Sequence, residues 1–191
     1  MKVLKGSCNS YLYKNILIDV ANGIDYKKKN IHPDKVVITH EHCDHFAGLN
    51  NIDCEEILAS HFCREVINEK KDEFGLCSYL SISHPEKKIE NVVNEGDIIE
   101  GDGFSLRVIE TPGHAKGSIC LYDPEEKMLF SGDTIFPDYS MPRVDLLSSE
   151  PEKLKASYEK LAGLDIEKIY PGHGIIIEEK DYIKKLFRNF D

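Results

Sequence analysis

The sequence lacks a long apolar run, a close pair of cysteines, and enough cations to balance its acids. No stretch approaches the roughly 18 apolar residues of a membrane-crossing helix, so no membrane partner is expected. The opening MKVLKGSCNSYLY has no apolar core of the kind a secretory signal carries. The six cysteines (Cys8, Cys43, Cys54, Cys63, Cys77, Cys120) form no Cys-x-x-Cys pair. A reduced, cytoplasmic setting is therefore expected, with the cysteines as small buried hydrophobes rather than disulfides. A formal charge of -10, from 24 Lys and Arg against 34 Asp and Glu, argues against a nucleic-acid partner, because neutralising phosphates needs clustered cations. The one basic run, Lys27-Lys28-Lys29, reads as a solvated turn.

What is present is an ordinary globular composition over 191 residues, enough for one well-filled core, and a single domain over 1–191 is expected. Short apolar or alternating runs predict strands at residues 2–4, 10–13, 16–19, 36–38, 56–59, 97–99, 104–110, 118–122, 128–130 and 167–170. Helices are expected at 44–50, at 61–71 with Phe62, Val66 and Ile67 on one side, and at 148–163 with the stripe Leu154, Tyr158 and Leu161. Ser149, Glu150, Pro151 and Glu152 supply the entry to that third helix, as cap, acids and first-turn proline. A last helix is expected at 178–190, burying Ile183, Leu186, Phe187 and Phe190. Residues 70–95 carry little pattern. ILIDVANG and LFSGDTIF share a strand, an aspartate and small residues, an echo that falls short of a repeat. Strands followed by helices, twice over, give a layered α/β domain.

The chemistry sits in VVITHEHCDHFAGL, where His40, His42, Asp44 and His45 crowd the turn after a β-branched strand. His40 and His42 are two apart, so an extended backbone points both the same way. Imidazole and carboxylate are ligands for zinc, iron or manganese. Three later segments repeat the arrangement: His114 in TPGHAKGS, Asp133 in LFSGDTIF and His173 in IYPGHGI. Each follows a strand and adjoins glycine, at the strand ends where open α/β sheets gather their sites. His32, His61 and His84 lack that setting and read as surface or structural residues. Cys43 alternates with the ligand positions and should face away from them.

Taken together and in order, these motifs resemble the metallo-β-lactamase fold hydrolase superfamily, from SYLY near the start through PGHG near the end. TPGH-x-x-G-S and GDTIFPDYSMPRVDL are similar in particular to its short glyoxalase II-like members. The resemblance implies a four-layer αβ/βα sandwich, two mixed β-sheets flanked by helices with metals at one edge. It implies that His40, His42 and His114 hold one divalent ion and Asp44, His45 and His173 a second, with Asp133 bridging. Zinc is the first expectation, with iron or manganese also compatible. The activity implied is hydrolysis of an acyl bond, above all a small anionic thioester, by a metal-bridging hydroxide that Asp44 orients or deprotonates. Lys116, Tyr139 and Arg143 are the candidates for holding the anionic group. Alternatives on the same ligands are an iron-dependent persulfide dioxygenase, which tends to use one metal, and a lactonase or phosphodiesterase. Only 18 residues follow His173 (191 − 173), too few for the helical extension with which glyoxalase II grips glutathione. The oligomeric state is not legible.

Overall fold

The computed structural model describes residues 1–101 and 103–188. One sheet runs β1 (Lys2–Lys5), β2 (Asn9–Tyr13), β3 (Ile16–Ile18), β4 (Lys35–Val37), β5 (Glu56–Ala59) and β6 (Asn91–Val92), neighbours in that order. The other contains β7 (Ile98–Gly101), β8 (Phe104–Glu110), β9 (Ile119–Asp123), β10 (Met128–Gly132) and β11 (Lys168–Pro171), again in chain order across the sheet. Both sheets are mixed. Antiparallel hairpins open the first, and its β3, β4, β5 and β6 are parallel. The second is antiparallel except for the β10–β11 pair.

Strand alternation divides the core into three strata. Ile16, Ile18 and Val37 pack against Leu106, Val108, Ile119, Leu121, Phe130 and Tyr170 of the facing sheet. The intervening Leu17 and Val36 turn outward to Phe46, Leu49, Cys63 and Ile67. On the far side Ile109, Cys120, Leu129 and Ile169 meet Leu154, Tyr158, Leu161, Ile183 and Leu186. A period of two that buries both faces of a strand is what a sheet covered on both sides requires. The result is the expected helix–sheet–sheet–helix sandwich.

The helices are α1 (Cys43–Phe46), continued by a 3-10 turn over Ala47–Asn51, α2 (His61–Glu69), α3 (Asp72–Gly75), α4 (Pro151–Ala162) and α5 (Tyr182–Phe187). In α2 the buried side chains are Cys63, Val66 and Ile67. Phe62, expected on that face, instead packs edge-on against Phe74 at 5.5 Å. Helix α4 buries its expected stripe and begins with Pro151 in its first turn, but its cap position is Glu150, which makes no side-chain capping bond. Helix α5 is shorter than the sequence reading, and Phe190 and Asp102 lie outside the described residues.

One expectation is corrected. Cys43 and Cys77 form a disulfide, tying α1 to the weakly patterned segment beyond α3. Cys8, Cys54, Cys63 and Cys120 are free. Cys43 does turn away from its histidine neighbours, into the core beneath the first sheet. Among the described residues no helix is long and apolar enough to cross a membrane.

Candidate metal centre

Strands β3 and β4 run parallel, as do β10 and β11, and β8 shares the direction of β10 through the antiparallel β9 between them. Their carboxyl ends come to one edge of the sandwich. Backbone bonds lace the sheets together there, Ile119 N–H to the Thr39 carbonyl at 2.9 Å and Asn9 N–H to Gly172 at 2.7 Å, while Gly172 N–H to Gly132 at 2.8 Å extends the β10–β11 pairing. A Cβ on Gly172 would lie 2.2 Å from Asp133 Oδ1 and 2.6 Å from His45 Cε1, so only glycine lets the last strand approach this closely.

All seven expected residues meet at this edge. His42 Nδ1 lies 3.1 Å from His40 Nε2 and 3.0 Å from His114 Nε2. His45 Nε2 lies 3.2 Å from His173 Nε2, and Asp44 Oδ2 is 3.1 Å from His173 Nε2 and 3.6 Å from His45 Nε2. Asp133 touches both groups: Oδ1 is 3.3 Å from His45 Nε2, while Oδ2 is 3.7 Å from His114 Nε2 and 3.5 Å from His173 Nε2.

The outward-facing nitrogens decide what the inward ones can do. His45 Nδ1 donates to Asp19 Oδ2 at 2.8 Å, and His114 Nδ1 to the Arg143 carbonyl at 2.8 Å. Thr39 Oγ1 donates to Asp19 and so accepts from His40 Nδ1 at 3.1 Å, while His42 Nε2 pairs with Ser148 Oγ at 2.9 Å. With their protons held outside, the neutral rings of His40 and His114 turn bare lone pairs toward His42 Nδ1. This is the tautomer that metal ligation needs, fixed by partners behind the ring. Asp133 Oδ1 is buried and has no hydrogen-bond donor. Converging lone pairs and an unpartnered buried carboxylate oxygen are costly unless a cation sits among them, so the donor set fits divalent metal.

The protonation tendencies agree. Burial pushes the His42 imidazole down to about 3 and the His40 and His114 rings below their ordinary value, so all three are neutral at pH 7. Burial alone would also lower His45 and His173, but the carboxylates beside them reverse its effect: Asp133, Asp44 and Asp19 with Cys8 hold His45 well above its usual value, and Asp44 and Asp133 raise His173. Burial opposes ionisation of Asp133 and Asp44, yet the neighbouring histidines hold both carboxyls below the usual range. The acids therefore favour a positive charge at this spot, proton or metal ion. Cys8, Asp19 and His45 also offer donor atoms within 4.8 Å of one another, but Asp19 already takes the His45 Nδ1 proton.

Several supporting residues went unassigned in the sequence. Asp19 was visible in the ILIDVANG echo without a role; it accepts from Thr39 N–H at 2.8 Å, from the Thr39 hydroxyl at 2.9 Å and from His45. Ser148 backs His42, and Ser149, expected as a helix cap, donates instead to the His114 carbonyl at 2.7 Å. Glu41 is wholly buried on the far side of its strand end, and burial pushes its carboxyl up to about 7. The three expected substrate contacts each have a partner within the chain. Lys116 Nζ lies 4.7 Å over the Phe62 ring, the Tyr139 hydroxyl donates to Glu179 Oε1 at 2.5 Å, and Arg143 pairs with both Asp145 oxygens at 3.0 and 3.1 Å. His32 and His61 are exposed; His84 is half-buried against Phe46 at 5.3 Å.

The profile of the metallo-beta-lactamase superfamily matches residues 3–173 of the chain. A beta-lactamase-like protein 2 homolog of Caenorhabditis elegans is 30% identical over 187 residues, 90% of this chain and 57% of that protein. Acyl-coenzyme A thioesterase MBLAC2 of Gallus gallus is 32% identical over 162 residues, covering 74% of this chain and 56% of its own length. A hydroxyacylglutathione hydrolase of Hydrogenovibrio crunogenus is 29% identical over 150 residues, 78% of this chain and 47% of that enzyme. The chain thus spans about half the length of these curated relatives. Among solved structures, TTHA1623 in a di-iron-bound form shares the fold with a TM-score of 0.77 at 24% identity, over 96% of both chains. The match over residues 3–173, with the agreement of the fold, identifies the family: this chain belongs to the metallo-beta-lactamase superfamily.

Proposed function

We propose that residues 1–191 form one dinuclear metal-dependent hydrolase domain that cleaves an acyl thioester, with chemistry like that of hydroxyacylglutathione hydrolase. The observation that carries this reading is Asp133, whose carboxylate lies against both histidine groups: His45 and His173 at 3.3 and 3.5 Å on one side, and His114 at 3.7 Å on the other. His40, His42 and His114 would hold one ion, Asp44, His45 and His173 the other, and Asp133 both. Relatives named as thioesterases or as hydroxyacylglutathione hydrolase support the thioester as the bond attacked. Bound divalent ions, zinc before iron or manganese, would bring the pKa of water near 7 and polarise the substrate carbonyl.

The chain's own groups supply the rest. Asp44 has the most exposed carboxylate of the cluster, at 18%, and the neighbouring His45 and His173 keep it ionised. It is the residue to orient the attacking water and take its proton. The departing thiol has an ordinary pKa of about 8.5 and leaves as thiolate, so no strong general acid is required. Arg143 is the leading anchor for an anionic group, because its carbonyl is the acceptor of the His114 ring proton. Lys116 and Tyr139 are the other candidates, and all three side chains must first leave a present partner, Phe62 for Lys116, Glu179 for Tyr139 and Asp145 for Arg143. No nucleic-acid or membrane partner enters this reading.

The test is hydrolysis of glutathione thioesters, coenzyme A thioesters, lactones and phosphodiesters before and after chelation. The expected result is thioester cleavage that chelation abolishes and metal restores. A phosphodiester turned over faster than any thioester, or oxygen uptake on a persulfide, would overturn the assignment.

A further inference from the structure

Glu41 lies between His40 and His42, and its side chain leaves the strand end on the opposite side from theirs. The carboxylate is fully buried and accepts the Gly117 N–H through both oxygens, at 3.2 and 3.1 Å. Ser60 Oγ donates to the Gly117 carbonyl at 2.6 Å, so both polar groups of that residue are held. A Cβ on Gly117 would stand 2.5 Å from Glu41 Oε2 and 2.9 Å from Ser60 Oγ, which makes the glycine part of the grip. The ammonium group of Lys116 lies over the Phe62 ring.

The same loop is held from its other flank. Lys116 N–H donates to the Ser148 carbonyl at 2.8 Å, and Glu150 N–H to the Gly113 carbonyl at 2.9 Å. Ser148 in turn pairs with His42. A closed circuit therefore runs from Glu41 through Gly117, Lys116 and Ser148 to His42, the residue next to Glu41 in the chain. His114 sits on the loop that this circuit encloses.

We infer that Glu41 is a positioning residue: anchored on Gly117, it fixes His114 against His40 and His42 and thereby sets the affinity of that three-histidine group for a divalent cation. The inference rests on the ligand assignment proposed above. Backbone amides behind a ligand loop act as outer partners of metal ligands do, and losing such partners typically weakens metal binding about 10- to 100-fold.

The experiment is a Zn2+ titration against a chromophoric chelator for the wild type, Glu41→Gln, Glu41→Ala and Gly117→Ala, with the visible spectrum of the Co2+ forms. Glu41→Ala is expected to weaken one of two metal equivalents by about 10- to 100-fold, leave the other unchanged, and alter the Co2+ spectrum of the weakened site. Glu41→Gln, which keeps one acceptor oxygen, should fall between, and remains informative should the alanine variant not fold. Gly117→Ala should weaken the same equivalent from the other side of the contact. Unchanged affinities in Glu41→Gln and Glu41→Ala, or equal weakening of both equivalents in every variant, would overturn the inference while leaving the metal assignment intact. A wild type that binds no Zn2+ would remove both.

Discussion

Asp19 gives the sharpest prediction about how the site is supported. Its carboxylate receives the Thr39 N–H and hydroxyl at 2.8 and 2.9 Å and the His45 Nδ1 proton at 2.8 Å, all in the buried interior. Asp19→Ala strands at least two of these donors, the Thr39 N–H and the His45 ring, since the hydroxyl can rotate. Each buried unsatisfied donor costs about 1–3 kcal/mol. Asp19 also has φ 57, a left-handed conformation that Asp and Asn tolerate and that adds about 1–2 kcal/mol for other side chains. The total is about 3–8 kcal/mol, a large share of the roughly 5–15 kcal/mol that a domain has. Asp19→Asn separates support from folding. Asn tolerates the backbone and can still accept from Thr39, but its amide presents hydrogens to His45 Nδ1. That favours the tautomer whose proton sits on Nε2, where the ligand lone pair belongs. Urea unfolding and chelator competition, run on the same preparations, should show Asp19→Asn near wild-type stability but about 10- to 100-fold weaker in metal affinity. Asp19→Ala within about 1 kcal/mol of wild type, the least that one stranded donor costs, or Asp19→Asn binding metal normally, would refute the reasoning.

Three other outcomes follow from the structure. Thiol counting after denaturation should find the four free cysteines, rising to all six after reduction; in the native protein at pH 8 only half-exposed Cys54 should label, and slowly, because burial pushes the Cys8 and Cys120 thiols up to about 11. Arg143→Ala should leave the urea unfolding midpoint unchanged, as its pair with Asp145 is solvent-exposed, while raising KM for anionic thioesters more than it lowers kcat. Leu121→Ala removes a fully buried side chain from between the two sheets, and urea unfolding should report a loss of about 2–5 kcal/mol.

Legibility followed the range of the forces involved. The strands could be read because both faces are buried and apolar residues fill them, and the ligands because each follows a strand. Two-residue β6 carries too little sequence to show a period. The Cys43–Cys77 bond joins residues 34 apart, and only the fold brings them together. Ser149 was expected as a helix cap, yet its hydroxyl donates to the His114 carbonyl, and Ser148 pairs with His42, both partners more than 30 residues away in the chain. Asp19 and Glu41 were hidden for a related reason: what they hold is a backbone amide or the back of a ring, and such partners leave no mark on spacing.

The central claim, that two ions sharing Asp133 drive hydrolysis, is tested most directly by measuring metal content and thioester turnover on one preparation each of wild type and Asp133→Ala. The account predicts two divalent ions per chain in the wild type and loss of both the second ion and turnover in the variant. Full turnover in an Asp133→Ala protein that holds one ion would contradict it.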